Sequence, residues 1–304
     1  MAWHPRNTDQ LALDTSNLNS IDFLSTRVGV VVTQVKGLID QPNIRVSNRD
    51  RPGRAGQRAG GLSLSGRPFT LEGYVFGSGM DDLEERKADF QDVLVPDGVL
   101  KPFTFTHQAR GLQQVSARVE QELIWGDPFE LGDVGPEVGI GFIVGLTAHD
   151  PRRYGQSLLS AQSTDIATGG GFAFPMTFPL SFGTAATGGT IDIPASAGNT
   201  ERPATIKLYG PVTNPVIEDI SGRWLLNFQN NGGLVIPSGD YVEIDLDEET
   251  AFLNGDPEAS RYGYIDFTVS NFELLPKTAC TLRYRGTVIT DPAYAVASWR
   301  DATV

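Results

Sequence analysis

A single cysteine, Cys280, excludes an internal disulfide. Its neighbours, Ala279 to Tyr284, read as a strand, so a small core residue is the expected role rather than a reactive thiol. Only three histidines occur, His4, His107 and His149. They show no H-x-x-x-H or Cys/His spacing, and no transition-metal site is expected. No G-x-S-x-G element accompanies them: Gly61-Leu62-Ser63-Leu64-Ser65-Gly66 and Gly77-Ser78-Gly79 lack that spacing. Carboxylates are plentiful, but nothing marks a pair for glycoside hydrolysis. The sequence therefore predicts no catalytic residue, no metal and no cofactor. Long apolar runs are missing too. None approaches the ~20 residues that span a bilayer, and Met1 to Asn7 carries no signal-peptide stretch. A soluble protein made in the cytoplasm, without a membrane partner, is the expectation. Positive charge is scarce: 24 Lys and Arg face 37 Asp and Glu, a net charge of −13. That balance disfavours tight nucleic-acid binding through a basic face. The deficit is uneven, with 16 against 20 in residues 1–160 and 8 against 17 in residues 161–304. The two halves carry different surfaces.

What is present is mostly β. Length favours about two domains, and 34 glycines with 19 prolines supply many turns. Val28–Val35 is β-branched and reads as a buried strand. Asn48–Gly61 is Gly- and Arg-rich without periodicity, an exposed loop by this reading. Pro68–Phe76 alternates and reads as a half-buried strand. One helix is predicted over residues 79–94. Ser78 is its expected cap, acidic residues fill its first turns, and Leu83, Lys87, Phe90 and Leu94 share a face. Strand patterns resume at Lys101–Thr106, Gln113–Glu120 and Val138–Ala148. Residues 161–190, rich in Gly, Ser, Thr and Ala, read as a connection between domains 1–160 and 191–304. The second domain shows short strands with regular turns: Ala204–Tyr209, Pro215–Asp219, Trp224–Phe228, Gly239–Asp245, Ala251–Leu253, Ile265–Val269 and Thr281–Tyr284. This spacing is that of an all-β sandwich.

Four motifs have more than one reading. Gly139-Ile140-Gly141 is superficially a dinucleotide loop, but a strand follows rather than a helix, which favours a core strand with close backbone approach. Asp245 to Thr250 has the carboxylates of a calcium loop without its sixth-position glycine, so a charged hairpin turn is the better account. Arg49, Arg51, Arg54 and Arg58 are able to grip phosphates or an acidic protein surface. The acidic balance favours a subunit contact over a solvated loop, and either over nucleic acid. Trp224 with Asn227 makes a candidate sugar platform, against the commoner alternative of core packing.

Three stretches, in order, resemble the distal tail proteins of siphophages. Arg51-Pro52-Gly53-Arg54 leads into Phe69-Thr70-Leu71-Glu72-Gly73-Tyr74-Val75 and the helix from Met80 to Lys87. Leu146 to Tyr154 contains Asp150-Pro151 and Tyr154, similar to the segment that ends the family's N-terminal domain. Gly239-Asp240-Tyr241-Val242-Glu243-Ile244-Asp245, Leu253-Asn254-Gly255 and Leu274-Leu275-Pro276 are similar to its galectin-like C-terminal sandwich, with Lys277 in place of a final glycine. The galectin sugar ligands are absent. Val212-Thr213-Asn214-Pro215-Val216 lacks the histidine and arginine, and Leu225 follows Trp224.

The resemblance implies a mainly β fold: an N-terminal β-sandwich with one α-helix that builds a tail-tube-like ring, then a galectin-like β-sandwich. It further implies a non-enzymatic hexamer at the tip of a phage tail in the virion. The ring would surround a channel through which DNA passes without specific binding. Implied partners are the tail-tube protein on one face, a tail-tip hub or tail-associated lysin-like protein on the other, and the tape measure nearby. A carbohydrate- or receptor-binding module of a phage tail is the alternative.

Overall fold

The computed structural model describes residues 2–6, 9–18, 29–50, 57–58, 60–130, 137–166, 188–287 and 293–304. Two units divide it, Met1–Gln156 with Val304, and Ser157–Thr303.

The first unit contains β1 (Ala2–Trp3), β2 (Leu11–Leu13), β3 (Ser16–Asn17) and β4 (Gly29–Lys36). An arm follows, made of β5 (Ile44–Val46), β6 (Arg49–Asp50), β7 (Gln57–Arg58) and β8 (Leu62–Leu64). Then come β9 (Arg67–Gly77), α1 (Met80–Val93), β10 (Lys101–His107), β11 (Gly111–Val119), β12 (Ile124–Glu130), β13 (Val138–Ala148) and β14 (Arg153–Gly155). The strand order is β1-β4-β9-β13-β11-β10-β2-β3, with β12 joined to β13 and β14 to β11. Along β9, Phe69, Leu71 and Val75 are buried while Thr70 and Glu72 are half-buried and Tyr74 exposed, the period-2 pattern of a sheet with one wet face. β9 and β10 are three steps apart in that order. Even so, Phe69 and Phe103 have ring centroids 5.1 Å apart, and Trp3 meets Phe105 at 6.0 Å. The sheet curls over its own apolar face and encloses the core.

α1 lies within the expected 79–94. Leu83, Phe90 and Leu94 are buried, and Lys87 places its ammonium 5.5 Å from the Trp125 ring centre. Its capping differs from the expectation. Gly79 occupies the cap position and no side chain caps it. The Asp82 carboxylate instead accepts from the Ser78 backbone N–H at 2.7 Å and from its hydroxyl at 3.1 Å. The strand runs so directly into the helix that a Cβ on Gly77 would lie 2.5 Å from the Leu83 nitrogen, which reserves the position for glycine.

The stretch expected as a loop from Asn48 to Gly61 is partly a hairpin. Arg49 pairs with Arg58 and Asp50 with Gln57, beyond a ladder that pairs Ile44 with Leu64 and Val46 with Leu62. Short alternating triplets, Ile-Arg-Val and Leu-Ser-Leu, let the chain satisfy its backbone groups across the arm rather than in water alone.

The second unit is a sandwich. One sheet runs β15 (Leu159–Gln162), β24 (Ala295–Trp299), β17 (Ala204–Tyr209), β21 (Tyr241–Asp245) and β22 (Thr250–Leu253). The other runs β16 (Gly189–Ile193), β23 (Cys280–Thr287), β18 (Val212–Asp219) and β19 (Leu225–Asn227), with β20 (Val235–Ile236) on β18. Ile206, Leu208, Val242 and Ile244 of the first sheet share a core with Ile191, Ile217, Leu282 and Tyr284 of the second. The Tyr284 hydroxyl crosses between them to the Tyr209 carbonyl at 3.2 Å. Strands β15 and β16 flank the stretch expected as a connection, whose residues 167–187 lie outside the described residues. The expected strand Ile265–Val269 is not one. Tyr262–Tyr264 is a 3-10 turn, and Asp266 accepts from the Thr268 N–H and hydroxyl, a local bond that competes with strand pairing. Asp245 to Thr250 is the hairpin turn its composition suggests: Asp245 pairs with Thr250 and accepts from the N–H groups of Asp247 and Glu248.

Candidate assembly surfaces

Buried charge in the first unit serves to fix its surface. The Arg67 side chain, 1% exposed, donates to the Pro151 carbonyl at 3.1 and 2.9 Å, to the Leu38 carbonyl at 2.9 Å and to the Asp40 carbonyl. Burial first, then the neighbouring Arg153, pull its pKa down to about 10, which leaves it charged at neutral pH. Asp150 accepts from the Arg152 N–H and guanidinium at 3.0 and 2.8 Å and from the Tyr154 hydroxyl. The Asp-Pro…Tyr segment is thus a structural knot, and its proline carbonyl anchors the arginine that also holds the root of the arm.

The outer face of β9, β13 and β12 is apolar where solvent would favour polar groups. Ile124 and Ile143 pair directly and are 57% and 44% exposed; Tyr74 and Phe129 are exposed beside them. Tyr74 and Phe76 each meet the Phe129 ring edge-on, at 5.7 and 6.1 Å. Gly139 of the Gly139-Ile140-Gly141 motif makes this possible. A Cβ on Gly139 would lie 2.6 Å from Phe76 Cε1 and 2.8 Å from Phe129 Cζ. The motif is part of a strand, β13, in which Gly139 leaves room for two aromatic rings. A groove of about 280 Å³ runs here, lined by Gly73, Tyr74, Ile124, Gly126, Gly141 and Ile143 among others.

The arm is the second such surface. Ile44, Val46, Leu62 and Leu64 are all exposed, Leu62 by 72%. Their pairing and two-residue spacing put all four on one face of the ladder, with Arg45 and Ser63 on the other. Contiguous exposed apolar groups of this kind mark contact sites. Sequence reasoning missed them, although the alternating triplets on either side of the Arg-rich stretch were the signal. Of the four arginines expected as contacts, Arg49 and Arg58 are register partners in the arm, and Arg51 and Arg54 lie outside the described residues.

In the second unit Trp224 is 2% exposed and belongs to the core, so its ring is not presented for stacking. Asn227 sits opposite Val216, and its N–H donates to the Ser270 hydroxyl at 3.0 Å. Cys280 begins β23 half-buried and lines a cleft of about 670 Å³ with Asp192, Asp219 and Arg223. Burial, then Asp219, push its thiol up to about 11. Among the described residues no group of His, Cys, Asp or Glu is placed to hold a metal, and no helix is long and apolar enough to cross a membrane.

No protein-family model matches the sequence, and no curated protein does. Among solved structures, the chain is similar to the crystal structure of the Dit protein (gp 19.1) of phage SPP1, at 17% identity and a TM-score of 0.60, covering 96% of this chain and 98% of that one. The two share a fold. The SPP1 protein is described as a paradigm of the hub adsorption apparatus in phages infecting Gram-positive bacteria. The chain also aligns with two structures of the phage P2 baseplate in its activated conformation, with Ca and with Sr. Each gives 12% identity, a TM-score of 0.46, and coverage of 95% of this chain and 98% of that one. The fold class is therefore that of the Dit protein, mainly β with a galectin-type sandwich.

Proposed function

We propose that this chain is a structural subunit of a bacteriophage tail tip or baseplate, forming a ring that joins the tail tube to the host-recognition apparatus and surrounds the DNA channel. The observation that carries this reading is the fold shared with the SPP1 Dit protein over almost the whole of both chains. The two uncovered apolar surfaces of the first unit support it, since a subunit that works alone has no need of them. Net charge of −13 suits a wall past which DNA slides without sticking.

In this reading the protein is a hexamer of the virion and performs no catalysis. Its work is geometric: it holds the channel open and presents one face to the tail-tube protein and the other to a tail-tip hub or lysin-like protein, with the tape measure ending nearby. Arg49, Arg51, Arg54 and Arg58 are proposed as subunit contacts. Light scattering and negative-stain imaging of the purified chain, alone and with the tail-tube protein, test it. Rings with a central hole of tube-like width are expected. A chain that stays monomeric under both conditions and is absent from purified tail tips overturns the reading.

A further inference from the structure

We propose that Tyr262, Phe267 and Phe272 of the second unit form a platform for a neutral saccharide. This goes beyond the ring reading and does not rest on it. Trp224, the platform suggested by sequence, is buried; these rings are not. They come from the segment between β22 and β23, where the strand expected over Ile265–Val269 gives way to turns. Their ring centroids are 4.9, 6.3 and 6.4 Å apart, and the Tyr262 and Phe272 planes lie within 8° of parallel. Tyr262 is 42% and Phe267 47% exposed, and Phe272 is half-buried against the core.

Exposed aromatic area is unfavourable in water, yet the chain holds these rings there on a fixed frame. The Tyr264 and Ile265 N–H groups donate to the Arg261 and Tyr262 carbonyls, both at 3.1 Å. The Asp266 N–H donates to the Asn227 carbonyl at 2.9 Å, and the Ser270 N–H to the Asp266 carbonyl at 3.0 Å. The Asp266 carboxylate accepts from the Thr268 hydroxyl at 2.6 Å, and the Ile265 side chain is buried in the core. A ligand meets rings already in place, which lowers the entropy lost on binding.

Three features select a sugar. A pyranose offers polarised C–H groups on one face, which the negative face of an aromatic ring attracts, and hydroxyls around its rim. Polar groups flank the rings here. Asn230 and Asn231 donate to the Gly263 carbonyl, next to Tyr262, at 3.2 and 2.9 Å, and their carboxamide oxygens are acceptors for a hydroxyl. Thr268 adjoins Phe267 and Asn271 adjoins Phe272, both exposed. An apolar floor with a few polar groups is the usual make-up of a small-ligand site. Size disfavours a protein partner, since a stable protein contact covers roughly 800 Å² a side and polar residues border these rings. Charge disfavours phosphate. Arg261 donates to the Ala259 and Ser260 carbonyls, Arg223 pairs with Glu201 and Glu273, and residues 161–304 hold 8 Lys and Arg against 17 Asp and Glu.

The test uses the full chain, saturation-transfer NMR and calorimetry, with neutral tetrasaccharides of glucose, galactose and N-acetylglucosamine and with a poly(glycerol phosphate) chain. At least one tetrasaccharide is expected to bind with a Kd of about 1 mM, its strongest saturation on the C–H protons of one ring face. Tyr262→Ala and Phe267→Ala, each checked by thermal unfolding, should weaken binding about tenfold, while Tyr262→Phe, which keeps the ring, should stay within about threefold of wild type. Phe267→Leu keeps apolar bulk without the aromatic face; it serves where alanine unfolds the turn and should also bind about tenfold more weakly. No tetrasaccharide bound at about 10 mM overturns the inference. So does binding that the alanine variants leave unchanged, because the site then lies elsewhere. Binding of poly(glycerol phosphate) alone overturns the neutral class. Variants that are missing from purified tail tips, when no tetrasaccharide binds the wild type, assign the rings to a protein contact and remove the saccharide.

Discussion

Phe90 on the single helix and Phe142 on β13 pack with ring centroids 4.6 Å apart. The contact joins the helix to the strand that also supplies Gly141 and Ile143 to the outer groove. One aromatic pair therefore ties the inner packing of the sheet to the surface proposed for assembly. Phe90→Ala removes a ring that is 3% exposed and is expected to destabilise the first unit by about 3–5 kcal/mol, on the order of 10 °C in Tm. Calorimetry or urea denaturation checks it. A fall below about 1 kcal/mol would mean that the helix is held elsewhere.

Arg67→Lys is expected to destabilise nearly as much as Arg67→Met. The guanidinium reaches three carbonyls, those of Leu38, Asp40 and Pro151, as a rigid fork, and a single ammonium does not reproduce that geometry. Leaving buried carbonyls unpaired costs roughly 1–3 kcal/mol for each. Hydrogen exchange should show the loss locally, as faster exchange around residues 38–40 and 151–154. If Arg67→Lys unfolds at the wild-type urea concentration, the fork is dispensable.

Much of this architecture is legible in the sequence. Val138–Ala148 and Ala204–Tyr209 are strands with the bounds their patterns suggest, and the helix falls within 79–94. Those segments are long or strongly periodic, so the local signal survives tertiary context. Leu11–Leu13 is too short to show a period, and Ile124–Glu130 is masked by its glycine and Pro128. Ile265–Val269 fails for the opposite reason, an apolar alternation overridden by the side-chain bonds of Asp266. The candidate surfaces are harder still. A period of two states that Tyr74 and Phe76 share one face of β9, but that Ile143 joins them follows from the register of β9 on β13, and whether that face is covered depends on strands far away in sequence. Trp224 is the mirror case: its type suits a platform, and only the second sheet puts it inside.

Asp82 gives a pH signature. Hydrogen bonding from Arg86 first, then from the Ser78 N–H, holds its carboxyl below the usual carboxylate range. A folded-state pKa below the unfolded value contributes stability that is present above the unfolded value and lost as pH falls through the folded one. Asp82→Asn should therefore lower the urea midpoint at pH 7, and the gap from wild type should close as pH falls below about 4. A gap that stays constant down to pH 3 would assign the effect to packing rather than to the charged hydrogen bonds.

Cys280 separates ionisation from access. Its thiol sits on an open cleft, so a reagent reaches it, yet burial raises its pKa to about 11. The thiolate is the reacting form. At pH 8 roughly a thousandth of the thiol is ionised, against about a quarter for a free cysteine of ordinary pKa. Reaction with Ellman's reagent at pH 8 should accordingly run on the order of a hundredfold slower than with glutathione, and accelerate about tenfold per pH unit while the fold holds. The slope carries the argument. A slow rate that ignores pH would mean that the cleft is closed to the reagent, whereas a rate near that of glutathione would mean that the thiol stands in water. Only slowness with the full pH slope matches a thiol that is reachable and held protonated by its surroundings.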